Sequence, residues 1–189
     1  SLLKEIISGN RRVLSQALTS IENDDSDYSF LADIYPHTGN AHLVGVTGGP
    51  GVGKSTLLND VVKLMRIHDD DNNVGILAVD PSSQFTNGAI LGDRIRMQDL
   101  LGDEGVYIRS MATRGALGGL SNSVVGAVDL LDSAGFDRVF VETSGVGQAE
   151  IDIAANSYTT VVVLLPGAGD SIQAAKAGIL EIADIIVIN

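Results

Sequence analysis

The chain has 189 residues and carries 24 acidic against 12 basic side chains, a net charge of −12 at neutral pH. This length suits a single α/β domain, and the negative charge argues against nucleic acid or an anionic membrane as a partner. Cysteine is absent, which excludes disulfides and thiolate metal sites. The apolar runs are far shorter than a membrane span and no secretory signal is visible, so we expect a cytoplasmic protein.

The N-terminal residues predict an amphipathic helix. Apolar side chains recur at helical spacing from Leu2 to Ile21, which predicts one helix of about five turns that packs against the rest of the protein. The acidic segment 22–27 follows as a linker exposed to solvent. Residues 1–40 therefore form a helical extension with its linker, and residues 41–189 form the main domain.

A glycine-rich loop follows the first predicted strand. Residues 48–56 read GGPGVGKST and match G-x-x-x-x-G-K-[ST] between an apolar strand and a helix. This pattern predicts a loop whose backbone N–H groups surround the phosphates of a nucleoside triphosphate. Lys54 supplies a positive charge and Ser55 a hydroxyl ligand for Mg²⁺, next to a helix N-terminus. The predicted nucleotide-binding residues are Gly49, Pro50, Gly51, Val52, Gly53, Lys54, Ser55 and Thr56. The alternative is a glycine-rich turn without a ligand.

The next strand ends in a carboxylate. Asp80 follows the apolar run 74–79, where a neighbouring strand commonly supplies a carboxylate for Mg²⁺. In the loop that follows, Asp93 is predicted to reach Mg²⁺ or its waters and Arg96 to offset phosphate charge. Alternatively, Asp80 caps a turn before Pro81, Asp93 caps a helix, and Arg96 lies on a solvated face.

The sequence Glu142-Thr143-Ser144-Gly145 resembles the D-x-x-G loop of GTP switches with Glu in place of Asp. Gly145 would bring a backbone N–H to the γ-phosphate, so that loss of this phosphate releases the loop. Gln148 is not at the spacing of a water-orienting glutamine, and no arginine finger can be assigned. We therefore expect slow intrinsic hydrolysis, on the order of 10⁻⁴ to 10⁻² per second.

Strands and helices alternate through the main domain. This order predicts a three-layer α/β fold of the P-loop NTPase type with a mostly parallel central sheet. Ligands of such sheets lie at the carboxyl ends of the strands. The predicted strands are 42–47, 74–80, 106–109, 138–142, 160–165 and 184–188, and the predicted helices are 54–68, 93–101, 121–134, 148–155 and 171–181.

Five segments together resemble the GTPases that chaperone methylmalonyl-CoA mutase, a family that includes the MeaB, ArgK-type and MMAA proteins. The segments are GGPGVGKST at 48–56, ILAVDPSS at 76–83, GAILGDR at 88–94, VETSGVGQ at 141–148 and LPGAGD at 165–170. The resemblance implies GTP hydrolysis coupled to the loading or protection of adenosylcobalamin in an acyl-CoA mutase, usually by a homodimer. Ser144 stands where many relatives carry an apolar residue, a small change.

The resemblance also implies roles for individual residues. Lys54, Ser55 and Thr56 would hold the phosphates and Mg²⁺, while Asp80, Asp93 and Glu142 would form the magnesium and switch shell. A further switch loop at 167–178 would relay the nucleotide state to the mutase through Asp170 and Lys176. The alternatives are that Asp170 caps the next helix and that Lys176 is a solvated helix residue.

The guanine-reading element N-K-x-D begins at Asn189, where the sequence ends, so guanine preference depends on the resemblance. The sequence looks like a fragment of a longer protein, and for such a fragment we expect weak nucleotide affinity.

Two other functions stay open. A phosphotransferase is possible because a P-loop does not determine whether water or another nucleophile attacks. A metal-delivery GTPase is disfavoured because there are three dispersed histidines and no cysteine to bind a metal.

Overall fold

The computed structural model describes residues 2–23, 28–80, 97–112, 122–143, 149–167 and 180–189. These residues form six α-helices, six β-strands and two short 3-10 turns, at Tyr35–His37 and Gln98–Leu100. The helices are α1 (Leu2–Ile7), α2 (Arg11–Glu22), α3 (Tyr28–Ile34), α4 (Lys54–His68), α5 (Asn122–Ser133) and α6 (Ala149–Asn156). The strands are β1 (His42–Thr47), β2 (Val74–Asp80), β3 (Val106–Ala112), β4 (Arg138–Thr143), β5 (Thr159–Leu164) and β6 (Ile185–Ile188).

The six strands form one sheet in the order β3-β2-β4-β1-β5-β6, and every described pairing is parallel. Helices cover both faces, because alternate residues of each strand point to opposite sides. On β2, Leu77 and Val79 pack into a core with α1, α2, α5 and α6. Val74 and Ile76 pack instead into a second core with α4. The predicted three-layer fold is confirmed.

The N-terminal region differs from the prediction of one long helix, which is wrong. Gly9 has a φ of 76°, which places it in the left-handed region and ends α1. The side chain of Asn10 then accepts hydrogen bonds from the backbone N–H groups of Arg12 at 3.2 Å and Val13 at 3.3 Å, which caps a new helix. Helix α3 and the turn after it were not predicted.

Helix α2 covers the outer edge of β3, which pairs with β2 alone among the described strands. Arg11 donates to the carbonyl oxygens of Val106, at 2.8 Å, and Glu104. Glu22 accepts a hydrogen bond from the N–H of Ala112 at 3.0 Å. These side chains satisfy backbone groups that face away from β2, and in this way they protect an edge that could pair with another chain.

Most strand boundaries agree with the predictions to within a residue. Strand β3 is longer than expected and continues to Ala112. Of the predicted helix 93–101, residues 93–96 lie outside the described part of the chain, and Gln98–Leu100 form a 3-10 turn where an α-helix was predicted. The predicted helix 171–181 is described only at its last two residues, which are helical. Across the described segments, no helix has the length and apolar character needed to cross a membrane.

Candidate functional site

The glycine-rich loop connects β1 to α4 in a conformation that depends on glycine. Gly51 has a φ of 74° and Gly53 a φ of 90°, a region that residues with side chains rarely adopt. Gly53 is the N-cap of α4, and it contributes no side chain to the free N–H groups of the first turn. These N–H groups and the positive end of the helix dipole therefore form an anion site at the end of β1.

Replacing Gly53 by alanine is expected to lower nucleotide affinity by about tenfold or more. A Cβ atom at this position would overlap with the side-chain amide of Asn189, and the left-handed φ would add strain. Gly102→Ala is the matched control, because Gly102 has a negative φ and its added Cβ would meet nothing within 4 Å. Titration of both variants with a fluorescent nucleotide measures the difference, and equal affinities would contradict this account of the loop.

Lys54 lies in the first turn of α4 and is buried, with 6 % of its surface exposed. Its ammonium group donates to the carbonyl oxygens of Gly48 at 2.8 Å and Gly49 at 2.9 Å. The loop therefore holds this charge beside the anion site. A buried ammonium in contact with backbone carbonyls provides the point charge that a polyphosphate needs.

Ser55 and Glu142 meet at the centre of the site. The Ser55 hydroxyl donates to Glu142 Oε1 at 2.6 Å, and both side chains are buried. The sheet order explains the contact, because β4 lies between β1 and β2 and Glu142 pairs in register with both Val46 and Ala78. The strand ends therefore bring the phosphate loop and this carboxylate together.

Asp80 lies at the end of β2 and lines the same cavity, which has a volume of about 380 Å³. The other lining residues come from the loop, from α4 and from the ends of β2 and β4. A hydroxyl and two carboxylates are the hard oxygen ligands that suit Mg²⁺. Among the described residues, no group of three or more Asp, Glu, His or Cys side chains could hold a metal without other ligands. This donor set fits an ion that shares its coordination with nucleotide phosphates.

Asn189 follows β6 and contacts the phosphate loop. Its side-chain amide donates to the carbonyl oxygen of Val52 at 2.9 Å, and its backbone N–H donates to the carbonyl of Leu164, also at 2.9 Å. Asn189, at which the base-reading element was predicted to begin, therefore lies against the phosphate loop. The sequence predicted a nucleotide-binding role for Asn189 but not this contact, which joins residues 137 positions apart.

The structure brings Lys54, Ser55, Asp80, Glu142 and Asn189 to one edge of the sheet. The predicted site residues Asp93, Arg96, Gly145, Asp170 and Lys176 lie outside the described residues, so their roles stay predictions.

Sequence reasoning missed the hydrogen bond between the buried hydroxyls of Thr143 and Thr47, at 3.3 Å, which joins the ends of β4 and β1. The sequence contains a signal for this contact, because each of these two apolar strands ends in a threonine. The hydrogen bond between Ser55 and Glu142 was also missed. Glutamate is one methylene longer than the aspartate of the usual switch loop, and this extra length, which the prediction did not consider, lets it reach Ser55.

The family model for the methylmalonyl-CoA mutase-associated GTPase MeaB matches residues 14–189. The chain belongs to this family. The resemblance drawn from the five sequence segments is confirmed, and so is the P-loop GTPase fold. The matched residues include the whole phosphate loop and every described residue of the site.

Relatives of the MeaB family agree with this assignment. A Pyrococcus horikoshii protein named as a GTPase is 53% identical over 189 residues, which cover 100% of the chain and 59% of that protein. The fused isobutyryl-CoA mutase of Cupriavidus metallidurans is 33% identical over 190 residues, which cover 99% of the chain and 17% of that protein.

Among solved structures, the crystal structure of an LAO/AO transport system kinase superposes with a TM-score of 0.71 at 30% identity. The match covers 98% of the chain and 54% of that structure. The chain thus spans somewhat more than half the length of this structure and of the Pyrococcus relative.

Proposed function

We propose that this protein binds and hydrolyses GTP with Mg²⁺, and that its nucleotide state controls the loading or protection of adenosylcobalamin in a partner acyl-CoA mutase. The main support for nucleotide binding is the cavity in which the phosphate loop, the Lys54 ammonium and the Ser55–Glu142 pair converge. Membership of a family of mutase-associated GTPases supports the choice of guanine and of a mutase partner.

Each part of the cavity has a distinct task in this proposal. The backbone N–H groups after Gly51 bind the β-phosphate, and Lys54 neutralises charge between the β- and γ-phosphates. Ser55, Glu142 and Asp80 would hold Mg²⁺ and its waters, and the ion would supply positive charge next to the phosphate oxygens. Catalysis then depends on positioning and electrostatics rather than on a covalent step.

Residues outside the described segments complete the proposal. We assign Asp93 to the magnesium shell and Arg96 to charge compensation, and we assign Gly145 to a backbone contact with the γ-phosphate. Asp170 and Lys176 belong to the loop that reports the nucleotide state to the partner. Loss of the γ-phosphate would release these loops, as it does in other GTP switches.

We propose the mutase partner because one relative is a fusion protein. A protein named as a fused isobutyryl-CoA mutase contains a segment similar to nearly the whole chain. Fusion keeps two functions at high effective concentration, which suits a GTPase that acts on a mutase. We further propose that the protein acts in the cytoplasm as a homodimer.

The test is GTP hydrolysis by the full-length protein with and without a cobalamin-dependent acyl-CoA mutase. We expect slow release of inorganic phosphate by the protein alone and faster release with the mutase. The Lys54→Ala variant should release no phosphate, either alone or with the mutase. If the mutase forms no complex and gives no stimulation while the protein still hydrolyses GTP, the mutase assignment fails and the GTPase assignment stands.

A second candidate function is phosphoryl transfer to a substrate other than water. The similarity to a solved structure described as a transport system kinase favours it, at 30% identity over 98% of the chain. A P-loop binds the phosphates in both classes, so the fold does not separate them. Radiolabelled GTP distinguishes the two, because a kinase leaves label on a protein or small molecule and a GTPase releases it as inorganic phosphate.

A further inference from the structure

A second cavity of about 290 Å³ lies on the face of the sheet covered by α5 and α6. Leu43 near the start of β1 and Tyr158 just before β5 line it, so it lies towards the edge where the strands begin. The phosphate cavity lies at the opposite edge. Within the described segments the two cavities share no lining residue, and the second one has no part in the proposed nucleotide chemistry.

The inner wall of this cavity is apolar. Aliphatic side chains from both helices and from the sheet face it, and such a wall binds methylene groups by removing them from water. The aliphatic lining residues are Ala41, Leu43, Val124, Val125, Val128, Val141 and Ile153.

Two carboxylates one turn apart on α5 line the same cavity. Asp132 accepts backbone hydrogen bonds from Gly39 at 2.6 Å, Asn40 at 3.2 Å and Ala41 at 3.0 Å, so its position is fixed by the segment before β1. Asp129 is half-buried and receives no hydrogen bond from the described residues. Burial, and then the nearby charge of Asp132, raise the pKa of Asp129.

The backbone adds to this negative charge. The last turns of α5 and α6 both line the cavity, and the C-terminal end of a helix carries a partial negative charge. No lysine, arginine or histidine is among the described lining residues. At the rim, the residues Tyr35 and Tyr158 are 71% and 68% exposed. One face of the Tyr158 ring stacks on His42, with the ring centroids 5.6 Å apart, and open tyrosine faces attract cations.

We propose that this cavity binds a small organic cation, an ammonium group carried on a short aliphatic chain. The ammonium pairs with the Asp129 carboxylate, to which no described residue donates a hydrogen bond. The aliphatic chain lies against the valine and leucine wall. Charge complementarity and apolar burial thus act on the two ends of one ligand, which is the arrangement that gives a small site its selectivity.

Calorimetric titration with n-pentylammonium, n-pentanol and pentanoate tests the proposal, because the three probes share one chain and differ in charge. We expect n-pentylammonium to bind about tenfold more tightly than n-pentanol, and pentanoate not to bind. Amide shifts in the NMR spectrum should be confined to α5, α6, residues 35–43, Val141, Ser157 and Tyr158. Lysine amide with an acetylated α-amino group, titrated in parallel, distinguishes a lysyl side chain of another protein from a free amine.

Asp129→Asn should reduce the affinity for n-pentylammonium by about tenfold and leave that for n-pentanol unchanged. Asp71→Asn makes the same change of charge on an exposed turn and should have no effect. Tyr158→Ala changes an exposed rim residue, which keeps the fold intact, and should weaken ammonium binding several-fold. Equal binding of the ammonium and the alcohol, or unchanged ammonium binding in both Asp129→Asn and Tyr158→Ala, would overturn the proposal.

The raised pKa of Asp129 also gives a pH prediction for the ligand-free protein. A carboxyl whose pKa is raised by folding stabilises the fold at low pH, and this stabilisation is lost as the pH rises through the folded-state pKa. Among the described residues, the other titratable groups of the cavity lining are Asp132 on α5 and the tyrosines at the rim. Asp129→Asn should therefore raise the melting temperature at pH 7, and the gain should disappear below about pH 3.8, the ordinary pKa of an aspartate side chain.

Discussion

Replacement of Lys54 by alanine is expected to lower the affinity for GTP by about a hundredfold or more. The ammonium group is buried and held by two carbonyl oxygens of the phosphate loop, so its charge acts on the phosphates with little screening by solvent. Removing it also leaves the carbonyls of Gly48 and Gly49 without this donor. Titration with a fluorescent GTP analogue measures the loss.

Lys63→Ala is the matched control for this prediction. Lys63 lies on the same helix, but it is exposed and pairs with Asp99 at 2.7 Å on the surface. Both variants lose one positive charge and should have similar circular dichroism spectra. A similar loss of affinity in the two variants would mean that overall charge, and not the position of the ammonium, governs binding.

Replacement of Glu142 by glutamine is expected to reduce Mg²⁺-dependent GTP hydrolysis by about a hundredfold. The amide keeps the size of the side chain and can still accept the hydrogen bond from Ser55, but it loses the charge that would hold the ion. Nucleotide affinity without Mg²⁺ should change little, and the gain in affinity that Mg²⁺ provides should disappear. Rates measured over a range of Mg²⁺ concentrations separate these effects.

Two further variants test the Glu142 prediction. Glu104→Gln changes an exposed glutamate and should leave hydrolysis unchanged. Ser55→Ala removes the other member of the buried pair. The reduction in hydrolysis rate in the double variant should therefore be smaller than the two single reductions combined. If the two losses are independent, Ser55 and Glu142 do not act on one ion and the magnesium assignment is incorrect.

The phosphate site could be predicted from the sequence because its chemistry is local. Residues 48–56 are consecutive, and their glycines determine the turn into α4 whatever the rest of the chain does. Strand β2 was also predicted correctly, because a run of seven residues ending in Asp80 has a clear apolar pattern. The break between α1 and α2 was missed because apolar spacing alone continues through Gly9, whereas its positive φ ends the helix.

The sequence by itself determined the phosphate loop, the parallel α/β fold and the family, because glycine positions, apolar runs and motif spacing are properties of neighbouring residues. Only the tertiary structure decided that Asn189 contacts Val52, that Glu142 reaches Ser55, and that Asp129 lines an apolar cavity. These contacts join residues from separate elements. Their formation depends on strand order and register, which no single segment specifies.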